Sequence, residues 1–222
     1  MTTMDAIIEG ELKAFQVGKN MPPQGVAPAI VLENPKYPRN ISMAIRAASC
    51  YGWNQVWYTG QRVNLRDPSK NLDDGLGRRR ARKAGKQPRL PREERMKLYS
   101  HVQVRNYDKP FDHFPGATPI AVELADGAQM LHHFEWPENP VLVFGPEDGG
   151  VSKVSMMHCH ARVILPTRAC LNLATAVATC LYDWYSKGVM NGTIPDLRPE
   201  ELLADDRCFL KDQADGELDI FE

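Results

Sequence analysis

The chain has 222 residues, 43% of them hydrophobic, enough for one cored domain with extensions. Its formal net charge of −1 hides two opposed segments. Residues 61–100 hold thirteen Lys/Arg against five acids, a net +8, and residues 193–222 hold three basic residues against ten acids, a net −7. No apolar run approaches the roughly 20 residues a membrane helix needs. The start, Met1-Thr2-Thr3-Met4-Asp5, has neither the basic nor the apolar region of a secretory signal. The five cysteines show no metal-ligand spacing, so free thiols in a reducing cytoplasm are expected.

In chain order, residues 1–28 read as an extension. It comprises a short amphipathic helix (Ile7, Ile8, Leu12, Phe15) and a Pro/Gly link. Ala29–Leu32 is a buried-type strand. From Asn40 to Tyr51, apolar residues recur at helical period (Ile41, Ala44, Ile45, Ala48), with Pro38 before and Gly52 after. Asn40 is placed at the helix start and Arg46 in its body. Their six-residue separation is about 600° of rotation, so they do not share a face. These two residues fit an N-cap and a surface arginine as readily as a functional pair. Gln55–Tyr58 reads as a strand, and 61–100 as a long basic loop insertion. Within it, Arg78, Arg79, Arg80, Arg82, Lys83 and Lys86 put six cations into nine residues. That is the composition of a phosphate-contacting segment, and equally of a solvated loop.

Strands follow at Val102–Asn106, Pro119–Leu124, Val141–Phe144 and Arg162–Leu165. A short helix runs over Ser152–His158 with Ser152 as N-cap, and a long, mostly apolar helix over Leu171–Lys187, expected to be buried on more than one face. Apolar strands alternating with helices imply an α/β fold on a largely parallel sheet. The Phe144–Ser152 segment is a glycine-rich strand exit. It suits a loop whose backbone approaches a ligand, with Glu147 at the mouth, or an ordinary βα turn. No P-loop and no Gly-x-Gly-x-x-Gly follows a strand. Asn172 stands where an N-cap belongs. His158-Cys159-His160 lacks a partner cluster for a metal; His132-His133 reads as a solvated pair; Phe111, Phe114, Phe134 and Trp136 read as core edge. The acidic tail, 191–222, is a docked helix near Pro199–Ala204 or disordered.

Three segments together resemble the SpoU (TrmH-like) branch of the SPOUT methyltransferases. The first motif matches through Asn34, Asn40 and Arg46, the second through Gly145, Glu147, Gly150 and Ser152, and the third through Pro166, Leu171 and Asn172. The resemblance covers about Ala29 to Lys187 and implies a SPOUT-type α/β knot domain over 29–190: a mostly parallel sheet flanked by helices, with a deep trefoil knot at the C-terminal end. It implies a homodimer, S-adenosylmethionine as cofactor, and methyl transfer to the ribose 2′-hydroxyl of RNA, with tRNA the first and rRNA the second expected substrate. Leu124, Gly145, Leu165, Pro166 and Leu171 would hold the cofactor. Arg46, Asn40, Glu147 and Asn172 would form the catalytic group, and the basic run from Arg78 to Lys86 would bind RNA. Arg46 would bind the adjacent phosphate and the 2′-oxygen, with the proton passing to a base or water. Two departures stand out. The loop Thr167-Arg168-Ala169 is short and lacks a glycine, and Cys170 takes the place of a serine. The alternative is an RNA-binding SPOUT-like protein that has lost turnover.

Overall fold

The computed structural model describes residues 25–65 and 102–197. The expected N-terminal helix, the Arg78–Lys86 run and the acidic tail beyond residue 197 lie outside the described residues. The elements are β1 (Ala29–Leu32), α1 (Pro38–Cys50), β2 (Gln55–Tyr58), β3 (Gln103–Asn106), β4 (Thr118–Val122), β5 (Gln129–Met130), β6 (Pro140–Phe144), α2 (Lys153–His158), β7 (Ala161–Ile164) and α3 (Leu173–Met190). Short 3-10 turns occupy Pro110–His113 and Leu131–His133.

The strands form one parallel sheet in the order β3-β2-β1-β6-β4-β7-β5. β1, β2 and β6 are buried at every position, and β4 at its three central ones. That is why, apart from Gln55 at the start of β2, they read as apolar runs rather than alternating ones. Ile30 pairs with both Val56 and Leu142, and Ile120 continues the row beyond β6. On one face, Ala29, Val31, Trp57, Phe114, Val141 and Val143 form a core cluster, with Phe111 packed at its edge. Because all strands run the same way, their carboxyl ends share one edge. After β1 the chain goes one way to β2 and β3; it later returns to β4, two places away on the other side. The crevice at such a switch point is where open α/β sheets bind ligands.

α1 buries Ile41, Ala44, Ile45 and Ala48 on one stripe and leaves Arg39, Met43 and Arg46 outward. Its start differs from the sequence reading. Tyr37 is the N-cap, in extended conformation as the residue before a proline prefers, and Pro38 is the first helical residue. Asn40 is therefore within the first turn and has no capping role. α3 is also corrected. Up to Asp183 it buries a single stripe, Leu173, Ala174, Val177, Cys180 and Leu181, while Tyr182 is exposed. Its other positions are largely small residues (Thr175, Ala176, Ala178, Thr179), which make the helix apolar in composition without requiring a second buried face. The two-residue β5 on the sheet edge has no counterpart in the sequence reading, because two exposed residues carry no period to read.

The chain divides into two compact units after Asp183. In the second, α3 ends at Met190 and Gly192 follows with φ +77°, and the Thr193 and Ile194 N–H groups both donate to the Gly188 carbonyl.

Leu142 is fully buried at the centre of β6. Leu142→Ala should cost about 2–5 kcal/mol of unfolding free energy while keeping native secondary structure. Chemical denaturation checks this; a loss below about 1 kcal/mol would contradict close packing at the sheet centre.

Candidate functional site

A cleft of about 630 Å³ opens at the carboxyl edge of β4, β6 and β7. Val122, Phe144 and Ile164 close its floor, and Leu165, Leu171 and Leu173 add apolar wall. Gly145, Pro146, Glu147 and Gly149 border one side. The loop 167–172 borders the other, and Tyr37 reaches in from the start of α1. Such a volume, mostly apolar with few polar groups, is typical of a cofactor site.

Beside the cleft three side chains form a directed relay. The Asn172 Oδ1 accepts from the Ala174 N–H at 2.9 Å, capping α3. Its amide nitrogen must then face outward, and it donates to the Asn40 Oδ1 at 3.1 Å. Asn40 in turn donates through Nδ2 to the Glu147 Oε1, while the Glu147 Oε2 accepts from the Lys36 N–H at 2.7 Å. Each amide's orientation is set by its neighbours. Asn40 is 2% exposed, so its amide depends on these partners. A hydrogen bond to a charged group is worth about 1.5–3 kcal/mol, and losing a buried one leaves its partner unsatisfied.

The glycine-rich loop, 145–152, is strapped by further acids. Glu33, directly after β1, accepts from the Ser152 N–H at 2.8 Å and from the Ser155 hydroxyl at 3.2 Å. The Ser152 Oγ caps α2 by accepting from the Ser155 N–H, as expected. Glu123, directly after β4, accepts from the Val151 and Leu124 N–H groups at 2.8 and 2.9 Å. A Cβ at Gly145 would stand 2.4 Å from the Gly150 carbonyl carbon, and one at Gly150 would stand 2.6 Å from the Glu123 Oε2. The loop closes back on itself only because both positions lack side chains. Asp148 is held from outside by a two-pronged contact with Arg62, at 2.6 and 2.7 Å, and by Lys36 at 3.7 Å.

The sequence-chosen residues thus divide. Glu147, Asn172, Leu124, Gly145, Leu165 and Leu171 line the cleft. Asn40 stands behind it, bonded to two of them. Pro166 falls between lining residues without lining it. Arg46 is exposed on α1 and does not line its own chain's cleft. Glu33, Glu123 and Arg62 are absent from the sequence-chosen set. An acid directly after an apolar strand is the available signal for the first two, since a parallel sheet places it beside the ligand edge. Arg62 is submerged in the charge of the following segment. His158 stacks on Phe111 at 4.9 Å, and the Cys159 thiol donates to the Ser155 carbonyl. Burial pushes the Cys159 thiol up to about 11, so it is a structural thiol.

The SpoU rRNA methylase family model matches residues 27–182, and the chain belongs to that family. No curated protein sequence matches it. Among solved structures, the fold is similar to a TrmH/SpoU tRNA modifying enzyme of A. aeolicus, with 16% identity over 90% of this chain and 92% of that one and a TM-score of 0.55. It is similar to the SpoU methyltransferase AviRb from Streptomyces viridochromogenes in complex with AdoMet, at 17% identity, 76% and 63% coverage and a TM-score of 0.54. A third, described as giving insight into 2-OH methylation of C/U34 on tRNA, shares 22% identity over 74% of this chain and 96% of that one, with a TM-score of 0.54. At these identities the likeness is one of fold.

The Arg62 guanidinium holds the Asp148 carboxyl well below its ordinary 3.8, at about 2. A carboxylate depressed in the folded state stabilises above its unfolded pKa and loses that contribution as pH falls through the folded one. Arg62→Ala should therefore lower the unfolding midpoint near neutral pH, the gap to the unmodified protein closing as pH falls from about 4 toward 2. A gap independent of pH would contradict the ion pair.

Proposed function

We propose that this member of the SpoU rRNA methylase family methylates the ribose 2′-hydroxyl of RNA, using S-adenosylmethionine. The observation that carries the reading is the relay Glu147–Asn40–Asn172, which joins one residue from each of the three motif segments at the edge of the cleft. tRNA is the first candidate substrate and rRNA the second. The A. aeolicus enzyme is a tRNA modifying one, and a further similar fold is an AdoMet-bound rRNA methyltransferase of Sinorhizobium meliloti.

The cleft fits the methyl donor. Its volume and apolar walls suit a nucleoside, and its glycine-closed loop leaves main chain at the mouth where a side chain would intrude. Leu124, Gly145, Leu165 and Leu171 would hold it, with Pro166 setting the turn between lining residues. Bound there, S-adenosylmethionine supplies a methyl group already activated on a sulfonium.

The chain's task is then to hold a weakly acidic hydroxyl in line and stabilise the charge it develops. Positioning supplies much of such a rate. Asn40 and Glu147 anchor the start of α1 against the cleft, and Asn172 anchors the start of α3. A guanidinium offers only hydrogen-bond donors, so the role of Arg46 is electrostatic: it binds the adjacent phosphate and the 2′-oxygen. Because Arg46 lies outside its own cleft, a second copy that brings this arginine to the site accounts for it. Exposed Tyr182 and Met157 offer apolar surface for such a homodimer. The reading carries with it a trefoil knot at the C-terminal end of a domain spanning 29–190, with 61–100 as an RNA-contacting insertion. Free thiols at Cys50, Cys159, Cys170 and Cys180 fit a cytoplasmic setting. Among the described residues, no helix is long and apolar enough to cross a membrane.

Arg46→Ala should abolish methyl transfer while leaving the donor Kd within about twofold, since a group acting on the second substrate contributes to turnover and not to donor binding. Calorimetry and a labelled-methyl assay measure the two. Near-normal turnover would sink the role given to Arg46. Neutralising Arg78, Arg79, Arg80 and Arg82 together should lower the log–log salt slope of RNA binding by about 0.7–0.9 for each phosphate that is no longer neutralised. An unchanged slope would show that the run does not touch RNA.

A further inference from the structure

Among its described lining residues, the cleft has acids whose oxygens are already engaged and one cation without an acidic partner. Glu123 uses both oxygens on the Val151 and Leu124 N–H groups, and Glu147 uses both on Asn40 and the Lys36 N–H. Among the described lining residues the single basic one is Arg168. It sits at the tip of the third-motif loop, exposed, with no acidic partner among the described residues. The loop around it is braced. The Thr167 N–H donates to the Leu165 carbonyl at 2.8 Å and its hydroxyl to the Ala169 carbonyl at 2.8 Å. A braced loop therefore places Arg168, with no acidic partner among the described residues, at a cleft whose carboxylates already accept N–H groups from other residues.

We propose that Arg168 binds the α-carboxylate of the methyl donor's amino-acid tail and so selects a donor that carries one. The proposal rests on the methyl-donor reading above. A bound amino-acid tail brings a carboxylate that needs charge or N–H donors when it leaves water, and a guanidinium meets a carboxylate through two parallel hydrogen bonds. Arg168 shares its loop with Leu165 and Leu171, apolar lining of the same cleft, and would stand beside a donor bound there. An RNA phosphate offers the same anionic chemistry, so the test separates the two sources.

The experiment uses the full chain and three probes by calorimetry: S-adenosylmethionine, S-adenosylhomocysteine and 5′-methylthioadenosine, which keeps the nucleoside and lacks the amino-acid tail. Arg168→Gln should weaken the first two alike, by about tenfold to a hundredfold, and leave the third unchanged. Arg168→Lys should recover part of the loss, as a point charge without the fork geometry does. The salt slope of RNA binding should not move. If Arg168→Gln weakens all three probes equally, or none, the assignment is overturned. It is likewise overturned if donor affinity holds while the RNA salt slope falls, which would make Arg168 a phosphate-binding residue. Failure of the unmodified protein to bind any probe would overturn the methyl-donor reading itself, and this assignment with it.

Discussion

The site depends on one hydrogen-bonded chain of three side chains, Glu147 to Asn40 to Asn172. Asn40 lies 107 residues from Glu147 and 132 from Asn172, so the relay closes two long loops within one site. Closing such loops costs entropy that grows only slowly with length, and the sheet has largely met it already by pairing β1 with β6 and β6 with β4. What remains is to fix the exits of those strands, and side-chain hydrogen bonds made through the buried Asn40 do that with a defined direction. The Ala174 N–H sets Asn172, Asn172 sets Asn40, and Asn40 meets a carboxylate. An aspartate at Asn40 would put two carboxylates together, and an alanine would leave two groups without a partner.

Around this relay the glycine-rich loop is held from three strand ends. Glu33 follows β1, Glu123 follows β4, and Arg62 lies after β2; each engages a different part of 148–152. The acids accept from main-chain N–H groups, which frees the loop's remaining polar edge to face the cleft. Gly145 and Gly150 are the condition for this closure, since a side chain at either would collide with backbone or with Glu123. The result is an apolar cleft whose carboxylates are already hydrogen-bonded, bordered by Arg168, with Arg46 outside it on the outward face of α1.

Much of the framework is legible in the chain. Buried parallel strands read as continuous apolar runs, and Ser152 and Asn172 cap their helices as their residue types suggest. The residues alone misplace the helix start at Asn40, because the Tyr37-Pro38 pair outcompetes a polar residue two positions on for the cap. α3 reads as buried on more than one face because its small residues, alanine above all, keep its composition apolar without demanding burial. The relay itself has no local signature: an asparagine in a first turn and a glutamate in a loop become partners only once the sheet order brings β1 beside β6. The same holds for Arg62 and Asp148, 86 residues apart.

The most direct test follows the methyl group to its atom. Purified protein is incubated with RNA and S-adenosylmethionine carrying an isotopically labelled methyl group. The RNA is digested to nucleosides, and the products are resolved by mass spectrometry for the unmodified chain and for Asn40→Ala. The account predicts label on the ribose as a 2′-O-methylnucleoside with the unmodified chain, and loss of that product in the variant while the variant remains folded. Label on a base, or an Asn40→Ala protein that transfers as fast as the original, would contradict it.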